Sequence, residues 1–99
     1  MALSAADVQA RLKNPAFTGW ALVDETTRLT IKKDFVFKDF DTAWAWMQRV
    51  VPHVRKADHH PEWFNVYNKV NVVLSTHDAG GVTEKDFGIA SEMNRAVEQ

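Results

Sequence analysis

Ninety-nine residues with 12 basic and 13 acidic side chains carry a formal net charge of -1, and no basic stripe offers a nucleic-acid phosphate backbone a footing. The absence of cysteine excludes a disulfide framework, a thiolate metal site and a thiol nucleophile. A hydrophobic content of 45%, with four Trp and six Phe, suffices for one compact domain over residues 1–99; it also exceeds what a small monomer hides easily, so an oligomer is expected.

In chain order, the first element is a helix. Ser4 caps it, Asp7 stands three residues on as the acidic half of a capping box, Leu3 and Val8 form a hydrophobic staple, and Pro15 ends it. Gly19 to Val23 reads as a short strand, followed by a turn at Glu25-Thr26-Thr27. From Arg28 to Phe37, Leu29, Ile31, Phe35 and Phe37 share one face interrupted by Lys33, the period of a half-buried antiparallel strand. Asp41 is the expected cap of a second helix whose apolar stripe is Trp44, Met47, Val50, Val51 and Val54. Pro52 lies inside that stripe and is expected to kink or shorten the helix, which must be over near Asp58 because His60 precedes Pro61.

Trp63 to Thr76 reads as a hairpin turning at Asn68-Lys69. Gly80-Gly81 then break the chain. Thr83 caps a last helix with Asp86 completing its capping box, Val82 and Phe87 as a staple, and Phe87, Ala90, Met93 and Val97 as its buried side. The order α-β-β-α-β-β-α predicts an α+β fold, a four-stranded antiparallel sheet with helices packed on one face. No positively charged start precedes an apolar run, and no segment reaches membrane-spanning length, so a cytoplasmic protein without membrane contact is expected.

With Asn68 and Lys69 as loop residues, Glu62 lies opposite Ser75, Pro61 opposite Thr76, and His60 opposite His77. Directly paired residues have Cβ atoms about 4.5–5.5 Å apart, so the two imidazoles would share a pocket, with His59 close by. Imidazole titrates nearest neutrality, and such a cluster suits removing a proton at one atom and donating one at another. Adjacent His59 and His60 are poorly spaced to chelate one ion, and no HExxH pattern accompanies them, so no metal is expected. His53 reads as an ordinary surface or core residue, and Lys32, Lys33 and Lys38 as solvated charges. Asp86 has two readings, a capping-box acid and an acceptor at the pocket rim.

The run Asp58-His59-His60-Pro61-Glu62-Trp63-Phe64-Asn65-Val66-Tyr67-Asn68-Lys69-Val70, with Leu74-Ser75-Thr76-His77 and Asp86, resembles the signature of the pterin-4a-carbinolamine dehydratases. That pattern is His-His-Pro, an aromatic six residues on (Tyr67), a His ten beyond it (His77), then an Asp (Asp86). A looser likeness runs through Gly19-Trp20, Phe37-Lys38-Asp39-Phe40 and Met47-Gln48-Arg49-Val50. Four residues before His59, where the family usually carries Glu or another of a few ionisable residues, this chain has Arg55, whose guanidinium is expected to pair with Asp58 or a nearby carboxylate.

The resemblance implies a lyase that dehydrates 4a-hydroxytetrahydrobiopterin to quinonoid dihydrobiopterin in tetrahydrobiopterin recycling, with no metal or redox cofactor. It implies acid–base work for His59 and His77, and orientation of the pterin by His60, a third catalytic candidate. Pro61 and Trp63 would shape the pocket and Asp86 its polar rim, with Asp58, Ser75 and Thr76 as further substrate contacts. Relatives also act as dimerisation cofactors of a homeodomain transcription factor, which makes a transcription-factor helix the alternative partner, docked on the stripe around Trp44, Met47 and Val51.

Overall fold

A computed structural model describes residues 1–98. Helix α1 (Ala5–Leu12) starts where Ser4 Oγ accepts the Asp7 N–H at 3.1 Å, although the Asp7 carboxylate does not return the bond, so half of the capping box forms. A 3₁₀ turn (Pro15–Phe17) follows, capped by Asn14. Strand β1 (Ala21–Glu25) begins two residues later than expected, because Gly19 takes φ 88° and the Trp20 N–H still closes the turn onto Phe17 O at 3.0 Å. Strand β2 (Arg28–Val36) returns from the Thr26-Thr27 turn.

Lys33 lies on the core-facing side of β2 between Ile31 and Phe35, and it is not the solvated charge expected. Its Nζ sits 4.6 Å from the Phe35 ring centroid and donates to Thr18 O at 2.8 Å and to Asn94 Oδ1 at 2.7 Å. Burial holds its pKa below the usual lysine range. The stem passes so close to Gly19 that a Cβ there would lie 2.7 Å from Lys33 Cε, a second reason for glycine at that position.

Helix α2 (Phe40–Ala57) is capped by Asp39 rather than Asp41. The cap must stand outside the helix with extended backbone, and Asp39 (φ -159°, ψ -178°) accepts the Thr42 N–H at 2.8 Å, leaving Asp41 in the first turn. The helix also runs on through Pro52 to Ala57, so the proline does not shorten it. Its buried face is Ala43, Trp46, Met47, Val50 and Val54, while Trp44 is 48% exposed and Val51 only half-buried. Trp46 takes the place expected of Trp44: its indole donates to Met93 O at 2.9 Å, and its ring lies 4.5 Å from Phe35 and 6.2 Å from Trp63.

Strands β3 (Glu62–Val66) and β4 (Lys69–Leu74) form the second hairpin, and the sheet order is β1-β2-β4-β3, antiparallel throughout. Val66 pairs with Lys69, so the turn is Tyr67-Asn68, one residue earlier than the sequence suggests. The left-handed conformation falls on Tyr67 (φ 50°). Asn68 is otherwise engaged: its carbonyl accepts the Phe37 N–H at 2.8 Å and its Nδ2 donates to Phe37 O at 2.9 Å, which pins the turn to the end of β2. Every partner therefore moves by two, and Glu62 faces Val73 instead of Ser75. His60 is not paired across the hairpin with His77; the even shift nonetheless keeps each residue on its expected face.

Helix α3 (Glu84–Val97) buries Phe87, Ile89, Ala90, Met93 and Ala96; Val97 is 46% exposed, and Ala96 completes the apolar side in its place. Arg49 ties α2 to this end of α3 by donating from Nε and Nη2 to Ala96 O at 3.1 and 2.8 Å. The three helices cover the sheet face that carries Ile31, Phe35, Val70, Val72 and Leu74.

Candidate active site

The site forms where α2 ends, β4 ends and α3 begins. At the end of α2, Asp58 adopts left-handed backbone (φ 48°, ψ 46°), its N–H reaches Arg55 O at 3.2 Å, and the His59 N–H reaches Val54 O at 3.2 Å. These are the two bonds of a Schellman ending, with aspartate where glycine is usual. The reversal turns His59 inward, and it is only 8% exposed. At the end of β4, Thr76 exchanges bonds with Gly81 across a tight loop, its N–H lying 2.7 Å from Gly81 O, and Gly80 supplies the left-handed residue (φ 73°). That loop carries His77 at the surface, at the start of a 3₁₀ turn (His77–Ala79).

Asp86 joins the two ends. Its carboxylate is fully buried and completes the α3 capping box, Oδ2 accepting the Thr83 N–H at 2.9 Å. The same oxygen accepts the Thr76 hydroxyl at 2.8 Å, and Oδ1 lies 2.6 Å from His59 Nε2. Since Thr76 gives its hydrogen to the carboxylate, the 2.6 Å contact between the two threonine hydroxyls is donated by Thr83. The ordinary and the chemical readings of Asp86 thus coexist, but in the interior behind His59 instead of at a rim.

Asp58, His59, His60, Ser75, Thr76 and His77 line one cavity of about 250 Å³. Asp78 and Lys85 complete its wall, and the sequence had singled out neither. Lys85 had a signal: it is the residue just before the acid of the capping box, so a box that reaches the cavity brings Lys85 with it. Pro61 and Trp63 do not line this cavity; Trp63 packs on the core side against Trp46. His60 is exposed, with Nε2 3.9 Å from Asp58 Oδ1. Arg55 is exposed and forms no ion pair among the described residues, so the expected partnership with Asp58 is not made. His53 pairs with Glu92 of α3 at 3.3 Å, away from the histidine cavity.

His59 is held in a defined orientation. A carboxylate only accepts, so Nε2 carries the hydrogen that faces Asp86, and Nδ1 is the ring nitrogen left for another partner. Among the described residues no protein group binds Nδ1, and no buried side-chain nitrogen or oxygen lacks a partner, which leaves Nδ1 open to the cavity. A buried base beside two exposed imidazoles is suited to moving protons between neighbouring atoms of one ligand. Among the described residues no group of three or more His, Asp or Glu side chains is placed to hold a metal ion. Among the described residues no helix is long and apolar enough to cross a membrane.

Residues 1–96 match the family model described as Pterin 4 alpha carbinolamine dehydratase. Two proteins named "Putative pterin-4-alpha-carbinolamine dehydratase", from Nitrobacter hamburgensis and Rhodopseudomonas palustris, are each 50% identical over 84 residues, spanning 85% of this chain and 81% of theirs. The crystal structure of a transcriptional coactivator/pterin dehydratase from Brucella melitensis superposes with a TM-score of 0.89 at 41% identity, covering 98% of this chain and 99% of that one. A pterin dehydratase-like protein identified as a RuBisCO assembly factor in the alpha-carboxysome shares the fold alone, with a TM-score of 0.68 at 14% identity over 83% of this chain and 93% of its own.

Proposed function

The chain belongs to the pterin 4 alpha carbinolamine dehydratase family and is a dehydratase, and from that premise we propose that it converts 4a-hydroxytetrahydrobiopterin to quinonoid dihydrobiopterin and water by histidine acid–base catalysis, in tetrahydrobiopterin recycling. The observation that carries this reading is the buried His59–Asp86 pair opening onto the cavity that His60 and His77 share.

The geometry suits this chemistry. His59 Nδ1 takes the proton from N5 of the pterin, the N5 electrons form the C4a=N5 bond, and the C4a–O bond breaks. His77 protonates the departing hydroxyl so that it leaves as water, and His60 orients the ring. When Nδ1 is protonated, the positive ring lies against the Asp86 carboxylate, which holds both its position and its charge. Asp58, Ser75 and Thr76 supply polar contacts at the wall, while Pro61 and Trp63 act from outside it by fixing the start of β3. No step calls for a metal or a redox cofactor.

The test follows the decay of synthetic 4a-hydroxytetrahydropterin with and without protein. Acceleration is expected, and His59→Ala or His77→Ala should lower it by roughly a hundredfold or more. Near-normal rates in both variants would refute the assignment.

A second reading, a dimerisation cofactor for a transcription factor, is favoured by the name of the Brucella protein and by Phe40 and Trp44, which are 42% and 48% exposed on α2. Binding of a transcription-factor helix without any acceleration of the decay would support it. Residues 1–99 are read as one cytoplasmic domain that forms a homodimer or homotetramer, and gel filtration with light scattering tests the assembly.

A further inference from the structure

Lys85 stands where three cavities meet. Besides the histidine cavity, it lines a groove of about 410 Å³ between α2 and α3, whose other walls are His53, Lys56, Ala57, Gly88, Ile89 and Glu92. It also lines a cavity of about 790 Å³ beneath the N-terminal segment, where Asp78 and Glu84 are its charged neighbours. The histidine cavity and the α2–α3 groove adjoin at Lys85 and again at the peptide joining Ala57, which lines one, to Asp58, which lines the other.

The groove differs from the N-terminal cavity in charge. It holds two lysines, and its one acid, Glu92, is engaged by His53 at 3.3 Å and by Arg95 at 3.7 Å. Lys56 and Lys85 form no ion pair among the described residues. Lys56 also complements the end of the α2 dipole, but that role needs no counterpart across the groove on α3. The N-terminal cavity has a mixed lining, with Asp78 beside Lys85 and the Met1 amino group, and Glu84 engaged by Arg11.

Gly88 adds an observation that packing does not explain. It sits inside α3 with no left-handed φ, and a Cβ there would meet nothing within 4 Å. Glycine weakens a helix interior, so neither backbone geometry nor crowding within the chain calls for it. Its effect is to leave the groove floor open to whatever lies in it.

Pterin chemistry decides what reaches this groove. N5 is bonded to both C4a and C6, so a C6 side chain leaves the ring one atom from the proton that His59 removes. With N5 at His59 and the ring turned so that C6 faces Asp58 and Lys85, the side chain would pass into the adjoining groove between α2 and α3. We propose that the α2–α3 groove is the side-chain subsite of the pterin cavity and selects pterins whose C6 substituent ends in an anion, held between Lys56 and Lys85. This rests on the pterin reading of the histidine cavity and narrows its substrate class. A phosphate monoester and a carboxylate tail share the required chemistry.

Fluorescence titration with 6-hydroxymethylpterin, its phosphate monoester and pteroylglutamate tests it, the last two separating phosphate from carboxylate. At least one anionic probe should bind roughly tenfold more tightly than the neutral one at low salt, about threefold of it from each exposed lysine. Lys56→Gln should lose that threefold for the anionic probe and leave 6-hydroxymethylpterin unchanged. Gly88→Leu, which fills the groove with a better helix former, should abolish the preference and again spare the neutral probe. Equal binding of neutral and anionic probes, or a preference untouched by both variants, overturns the subsite while leaving the pterin cavity standing. Failure of all three probes to bind wild-type protein overturns the pterin reading itself, and this one with it.

Discussion

Asp86 receives three donors, from Thr83, Thr76 and His59, and two of its jobs are separable by measurement. Asp86→Asn keeps the shape and removes the charge facing His59. The expected result is a fall in kcat of about tenfold or more with little change in KM, an altered pH–rate profile, and a loss of about 1 kcal/mol of stability from the weakened cap. Unchanged kcat with lowered stability would leave Asp86 a helix cap only. Asp58 carries a different tension, because an L-residue in left-handed backbone is strained. Asp58→Gly should raise the urea midpoint by the equivalent of up to about 1 kcal/mol, and weaken pterin binding if the carboxylate touches the ligand. The capping box was legible in the sequence because its spacing is local. Its service to His59 was not, since one Thr-x-x-Asp pattern looks the same whether or not a distant imidazole reaches it.

At the scale of elements, the order of helices and strands was readable and the hairpin register was not. Asn68-Lys69 was a reasonable turn by local preference, yet the turn falls at Tyr67-Asn68 because both backbone and side chain of Asn68 bond to Phe37, 31 residues away. No spacing rule within the hairpin carries that information. Asn68→Ala should therefore cost about 1–2 kcal/mol in urea unfolding, while Lys69→Ala, at an exposed position, should be nearly neutral. Equal effects would remove the Phe37 tether as the reason for the register. The same limit explains Trp44 and Trp46: helical spacing permits a stripe through either residue, and the choice rests on Met93 O accepting the Trp46 indole from another helix. The histidines meet despite the altered pairing, because the end of α2 and the Thr76–Gly81 loop bring them together instead.

At the scale of the molecule, carboxylates near the surface tie elements together or cap them, and they set the response to acid. Arg11 of α1 bonds Glu84 of α3 and holds its carboxyl below the ordinary 4.5; Thr42 does the same for Asp39 below 3.8, and Lys32 for Glu25 below 4.5. Folded values below unfolded ones mean that the unfolded chain binds more protons in this range. Each contribution is therefore complete above the unfolded value and is lost as pH falls through the folded one. The urea midpoint should stay level from neutral pH down to that range and decline below it, with a shallower decline in Asp39→Asn. A midpoint that rises with acid would contradict the arrangement.

The shared carboxylate of Asp86 has a consequence for how this protein fails. Helix ends fray before cores melt, and the first turn of α3 is held by the same carboxylate that fixes His59, one oxygen for each. With His59 in its proposed role, turnover should report local helix order: inactivation on warming is expected to precede the loss of circular dichroism, and ligands that occupy the histidine cavity should delay both by tightening a turn they need not touch.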